Sequence, residues 1–139
     1  MTFMLLVLHE IELGSGNPDA SKEFYHKSLG LPLAVDQDQL KVVRPNVDGL
    51  DFNLSTHLSA PRVIISFLTR DLEGVMDELK RQGRPFSGPR PSHLGMTSVQ
   101  LEDPDGYTVK INMPTEGSPQ WLKDKAARIG TAALVASGH

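Results

Sequence analysis

The stretch Leu101–Asn112, LEDPDGYTVKIN, encodes a strand, a turn and a second strand in one run. Pro104 pre-sets φ at the first turned position, and Gly106 accepts a positive φ without steric cost. Beyond the turn, Tyr107, Val109, Ile111 and Met113 share one face of the strand, and Thr108, Lys110 and Asn112 share the other. The first face is expected to pack on a core. The second, with Lys110 at its centre, faces either water or something the protein holds.

Working back from this hairpin, PRVIISFLT reads as a strand, and Asp71 caps a helix. The helix carries Leu72, Val75, Met76 and Leu79 at i, i+3, i+4 and i+7. Short strands are predicted near Arg84–Ser87, Met96–Glu102 and Tyr107–Met113. The first half follows the same plan. A strand over Leu5–Leu13 leads to GSGNPDASKEFYHKSLG, where Asn17 caps a helix, Pro18 and Asp19 suit its first turn and Gly30 closes it. Ala20 and Phe24 are expected to begin its buried stripe. Strands over Leu31–Val35, Leu40–Arg44 and Leu50–Thr56 follow, with Pro45, Asn46, Asp48 and Gly49 turning between the last two. The interval from Asn17 to Asp71 nearly equals that from Gly30 to Gly83, so the chain repeats a βαβββ unit. The expected organisation is one α+β domain over residues 1–115, with module one at about 4–58 and module two at about 61–114. A C-terminal helical tail, 116–139, contains Trp121, Leu122, Ala126 and Ile129.

The composition narrows the function classes. A chain of 139 residues with 39% hydrophobic and 22% charged residues reads as globular. The formal net charge of −3 gives no basic field for nucleic acid. With no cysteine there is no disulfide, thiol nucleophile or thiolate metal site. The apolar run in MTFMLLVLHEIEL lacks a basic flank and runs into two glutamates, so no signal peptide or membrane span is predicted. The expected location is cytoplasmic.

Strand, NPDASKEFYHKSLGL, a second strand–Asp–helix unit, and then LGMTSVQLEDPDGYTVKI together resemble the vicinal oxygen chelate superfamily, the glyoxalase, bleomycin-resistance and extradiol-dioxygenase group. The resemblance spans about residues 5–113. It implies two modules forming a curved mixed β-sheet around a cleft, commonly completed by homodimer formation. In the metal enzymes of the family, His and Glu side chains bind a divalent ion there. Carried onto this chain, the four ligand positions fall on Glu10, Asn53, Ile64 and Lys110. One carboxylate and one amide oxygen are too few for such an ion, Ile64 offers no donor, and Lys110 brings a positive charge. The resemblance therefore implies a member without a metal cofactor.

Strand parity puts Glu10, Glu12, Asn53, Ser55, Ile64, Ser66, Ser98, Gln100, Thr108, Lys110 and Asn112 on a common side, opposite Ile11, Leu13, Phe52, Leu54, Val63, Ile65, Phe67, Val99, Leu101, Val109 and Ile111. The first set is expected to line a ligand-binding cleft, joined by His93, which precedes LGM. The second set is expected to form the helix-packed core. An antiparallel sheet with one wet face would give the same pattern. Glu10 and Lys110 are expected to pair as a cross-sheet tie. His9 has core-face parity, and His26 is expected on an exposed helix surface.

The leading functional expectation is a metal-free protein that binds a small organic molecule and contacts neither nucleic acid nor membrane. One alternative is a divalent-metal lyase, isomerase or dioxygenase using Glu10 with His57 or His93. Another is a metal-independent enzyme with Glu10 as base and Lys110 as electrostatic stabiliser.

Overall fold

The computed structural model describes residues 6–45, 49–104 and 106–129. Its strands are β1 (Val7–Gly14), β2 (Leu33–Gln37), β3 (Leu40–Val43), β4 (Asp51–Ser55), β5 (Val63–Leu68), β6 (Ser87–Pro91), β7 (Thr97–Glu102) and β8 (Thr108–Met113). Its α-helices are α1 (Pro18–Lys22), α2 (Leu72–Arg81) and α3 (Gln120–Ala127). This is a mixed α+β fold built twice from the same unit, with a helix added at the C-terminal side.

The chain divides into two compact units. Leu8–Ser66 form one, and the described residues from Phe67 onward, with Leu6 and Val7, form the other. In the first unit the hydrogen-bonded order is β2-β3-β4-β1-β5, with β1 and β4 parallel and β2, β3 and β4 antiparallel. In the second it is β5-β8-β7-β6, with β6, β7 and β8 antiparallel.

The second unit follows the predicted pattern on one face. Leu72, Val75 and Leu79 of α2 are buried against Val99 and Ile111, with Phe67, Leu101, Met76 and Met113 packed around them. Asp71 caps α2 by accepting from the Gly74 amide at 3.0 Å. The opening hairpin closes as its sequence dictates. Gly106 has φ +89, its amide donates to the Asp103 carbonyl at 3.0 Å, and the Tyr107 amide donates to the Asp103 carboxylate at 2.9 Å. Tyr107, however, is not on the core. It lies before β8 begins and is 62% exposed. The expected strand at Arg84–Ser87 is displaced to Ser87–Pro91. Pro89 and Pro91 are tolerated there because β6 is an edge strand, where a missing N–H costs no ladder bond.

In the first unit, Asn17 caps α1 through the Ala20 amide at 3.1 Å. The expected single helix instead widens after Lys22 into a π-helical segment, Glu23–Ser28. The buried stripe is also one residue out of phase with expectation. Pro18 is buried and Tyr25 half-buried against Phe52 at 6.2 Å, whereas Ala20 is exposed and Phe24 is 54% exposed. Both aromatics satisfy a helical period at this point, and the widened turn selects Tyr25. Lys41 of β3, nearly buried, ties the same region together. Its Nζ lies 2.6 Å from Asp36 of β2 and 3.2 Å from Asp19 of α1, while Lys22 of α1 reaches Asp36 at 2.6 Å. The bonds from Lys22 and Lys41 hold the Asp36 carboxyl down to about 2, and Asp36 in turn raises the Lys41 ammonium. His26, expected to be exposed, is half-buried with Nδ1 at 2.7 Å from the Leu31 carbonyl oxygen.

The turn predicted over Pro45–Gly49 lies partly outside the described residues, as do Leu5 and the end of the tail beyond Ile129. No helix among the described residues is long and apolar enough to cross a membrane.

Candidate functional site

Parallel pairing of β1 with β4 sets Glu10 opposite Asp51, Glu12 opposite Asn53 and Gly14 opposite Ser55. Cα partners in a parallel ladder point the same way, so these polar side chains share one face. Antiparallel β3 adds Val42 beside Asn53 and Leu40 beside Ser55. This is the face that parity predicted, but it is not wet. Glu10, Asp51, Asn53 and Ser55 are each no more than 1% exposed, and Glu12 is buried too. Ile64 and Ser66 of β5 are likewise buried. The expected helix-side core of this unit is unevenly buried: Leu54 and Val43 are buried, Ile11, Leu13, Phe52 and Ile65 are half-buried and Val63 is exposed. In α1 and its π-helical continuation only Pro18 is buried, whereas α2 in the other unit buries Leu72, Val75, Glu78 and Leu79.

Charges on this face are compensated where the structure defines the partner. Arg44 continues β3 and grips Asp51 with Nε to Oδ1 and Nη2 to Oδ2, each at 3.0 Å. His9 Nε2 is 3.6 Å from Glu10 Oε2. Sequence reasoning missed Asp51 and Arg44, although both were within reach. Asp51 precedes Asn53 by two residues in the same strand, and Arg44 follows Leu40 and Val42 at the same parity.

In the second unit, β7 and β8 pair Ser98 with Asn112, Gln100 with Lys110 and Glu102 with Thr108. Ser98 and Asn112 are buried, Lys110 is half-buried and Gln100 is exposed. His93, half-buried, opens a short 3-10 turn, His93–Gly95, before β7, and its Nδ1 lies 3.3 Å from Ser92 Oγ. His57 is exposed at the end of β4. A depression of about 550 Å³ opens where β6 and β7 part, lined by Arg84, Phe86, Gln100, Glu102 and Asp103 among others. Gln100 thus faces open space and Asn112 does not.

The buried end of this face is covered by α3. Leu122, Ala126 and Ile129 pack on Leu68 and Met96, with Leu94 and Trp121 alongside. Met96 shares parity with Ser98 and Gln100, so α3 lies on the polar face while α2 lies on the opposite one. The tail, read from the sequence as separate from both modules, is therefore part of the second unit's packing.

Among the described residues, no three His, Asp or Glu side chains are grouped so as to hold a metal ion. At the expected ligand positions stand a carboxylate, an amide, an alkyl side chain and an ammonium. That set does not fit a divalent cation.

The family model of the Glyoxalase/Bleomycin resistance protein/Dioxygenase superfamily matches residues 7–111. No curated protein matches the sequence. Among solved structures, methylmalonyl-CoA epimerase from Mycobacterium tuberculosis superposes with a TM-score of 0.67 at 16% identity, covering 83% of this chain and 93% of that one. A glyoxalase/bleomycin resistance protein/dioxygenase superfamily member from Vibrio splendidus 12B01 gives 0.56 at 17% identity, covering 78% and 98%. A catechol 2,3-dioxygenase gives 0.56 at 20% identity, covering 77% of this chain and 40% of that one. At these identities the likeness is one of fold.

Proposed function

The chain belongs to the Glyoxalase/Bleomycin resistance protein/Dioxygenase superfamily, and from that premise we propose that it binds a small organic molecule on the polar sheet face without a resident divalent ion. The observation that carries this reading is the residue set Glu10, Asn53, Ile64 and Lys110 at the family's ligand positions. An ion there would meet one carboxylate, lose a ligand at Ile64 and be repelled by an ammonium. The same side chains suit an organic ligand. Glu12, Asn53, Ser55 and Ser66, all buried, and the exposed Gln100 carry neutral and anionic hydrogen-bonding groups, Lys110 offers a cation for a carboxylate or enolate oxygen, and His93 a ring nitrogen. Glu10 and Lys110 are the contacts proposed to matter most.

Two measurements test this. Elemental analysis of the purified protein should find far less than one Zn, Ni, Mn or Fe per chain. About one ion per chain, removed by a chelator with loss of binding, overturns the metal-free part. Equilibrium dialysis against small carbonyl compounds and coenzyme A thioesters should find a ligand whose affinity falls about tenfold in Glu10→Gln or Lys110→Ala, the loss expected for one charged hydrogen bond. A ligand indifferent to both changes moves the site elsewhere.

We also propose a homodimer in solution, because the outer edges of β2 and β6 present unpaired backbone groups that a second copy would satisfy. Sedimentation giving a monomer over a wide concentration range contradicts it.

A further inference from the structure

Beyond Gln100 the two outer strands of the second unit stop pairing. The register sets Ser87 of β6 opposite Gln100 of β7 and goes no further, although β7 continues to Glu102. Two residues on, the same antiparallel register would set Pro85 opposite Glu102. Proline has no N–H, so it cannot donate to a carbonyl turned toward it. The Glu102 carbonyl does turn to this side. The Asp103 amide donates to the Tyr107 carbonyl at 3.0 Å, on the β8 side. Backbone groups of successive residues in an antiparallel strand face opposite ways, so Glu102 presents its N–H and C=O away from β8. The ladder therefore opens into the depression of about 550 Å³ with a short strand edge left bare.

Opposite charges stand at this opening. Arg84 is fixed at the end of α2, where its amide donates to the Leu79 carbonyl at 2.9 Å. Arg84 and Glu102 line the same depression and both are exposed. No ion pair joins them, and neither side chain has a partner among the described residues. Asp103 differs, since its carboxylate already accepts from the Tyr107 amide. The half-buried Phe86, with Pro85 and Pro104, supplies apolar wall. One cation, one anion, a backbone acceptor and an apolar surface are thus held in one concavity.

We propose that this depression is a second binding site, for a zwitterionic dipeptide held in extended form. The peptide N–H donates to the Glu102 carbonyl, in the place that Pro85 cannot fill. The dipeptide carboxylate meets Arg84 and its ammonium meets the Glu102 carboxylate, while an apolar side chain rests on Phe86 and the prolines. A free amino acid has both charges without the peptide N–H, and a simple organic acid lacks the ammonium. The site shares only Gln100 with the ligand face proposed above, so it stands whether or not that reading does.

Amide NMR of the full-length protein, titrated with glycyl-leucine, tests it. The amides of Phe86, Ser87, Glu102 and Asp103 should shift, and those of β1 and β4 should not. N-acetylation and C-amidation of the dipeptide should each weaken binding about threefold, the scale of one exposed ion pair. Free leucine should also bind more weakly. Arg84→Gln should abolish the effect of C-amidation and keep that of N-acetylation, and Glu102→Gln should do the reverse. Both side chains are exposed, so these substitutions leave the fold intact. Four results overturn the proposal: no shift at those amides up to the solubility limit, equal binding of leucine, a cap without effect, or cap effects that survive in the variants. If a variant is not obtained, the capped dipeptides on the wild type decide alone.

Discussion

Arg44 holds the fully buried Asp51 through two parallel bonds of 3.0 Å, and Asp51 stands opposite Glu10 in the β1–β4 ladder. The guanidinium thus sits at the margin of the polar face and compensates a carboxylate that water cannot reach. Removing it leaves a buried charge. Arg44→Met should cost about 3 kcal/mol, the scale for breaking a buried pair from one side. Arg44→Met with Asp51→Asn should recover much of that loss. Urea unfolding of the two single variants and the double variant measures the coupling, and simple additivity would show that the pair is not coupled.

Asp36 gives a pH dependence of known sign. Its carboxyl is held down to about 2 from an ordinary 3.8 by Lys22 and Lys41, so the folded state favours the ionised form. The stabilisation is fully present above the unfolded-state value and fades as pH falls through about 2. Asp36→Asn should therefore be less stable than wild type at pH 7 and at pH 5. The two proteins should converge in urea unfolding as the medium approaches pH 2. A difference that persists unchanged at the acid end would assign the effect to something other than this charge.

Phe24 and Tyr25 can be told apart by substitution. Phe24 is 54% exposed, and Phe24→Ser should change stability by no more than about 0.5 kcal/mol. Tyr25 faces Phe52, and Tyr25→Ser should cost more than about 1 kcal/mol. The reverse ranking in thermal or urea unfolding would restore the helix phase expected from the sequence.

Gly95 has φ +70, and a Cβ there would lie 2.8 Å from the Gly117 carbonyl carbon. Gly95→Ala should destabilise the fold by at least about 1 kcal/mol, since it adds left-handed strain to a clash with backbone. It should also loosen the anchor of α3, visible as greater acrylamide quenching of Trp121. An unchanged unfolding midpoint would mean that the segment shifts freely.

Leu122 is fully buried in the α3 seam. Leu122→Ala should cost about 2–4 kcal/mol if the helix stays seated through global unfolding, the usual scale for a truncated core leucine. If α3 opens first, the loss appears mainly as faster local exchange with a smaller change in the global midpoint. Measuring both on one sample separates the cases.

The features legible in the sequence are those fixed by neighbours in the chain. Asn17 and Asp71 cap helices because a short polar side chain next to a helical run has a free amide within reach. DPDG turns because Pro104 and Gly106 have restricted and permissive backbones respectively. The repeat and the parity of Glu10, Glu12, Asn53 and Ser55 follow from the same local periodicities, while the family was reached through the resemblance of the NPDASKEFYHKSLGL and LGMTSVQLEDPDGYTVKI segments. Local rules stop where two answers satisfy one period, as at Phe24 and Tyr25. They stop again at Tyr107, whose alternation with Val109 continues past the point where the strand does.

Burial was decided elsewhere. Parity separates two faces of a strand without saying which one meets solvent, because that depends on segments distant in sequence. The sequence by itself determined that Ser98, Asn112 and Lys110 share a side. Only the tertiary structure made Asn112 inaccessible and seated α3 on Leu68 and Met96, while Gln100 on the same side stayed exposed. A helix of eight residues carries too little energy of its own to announce its seat, and takes it from the apolar area it finds.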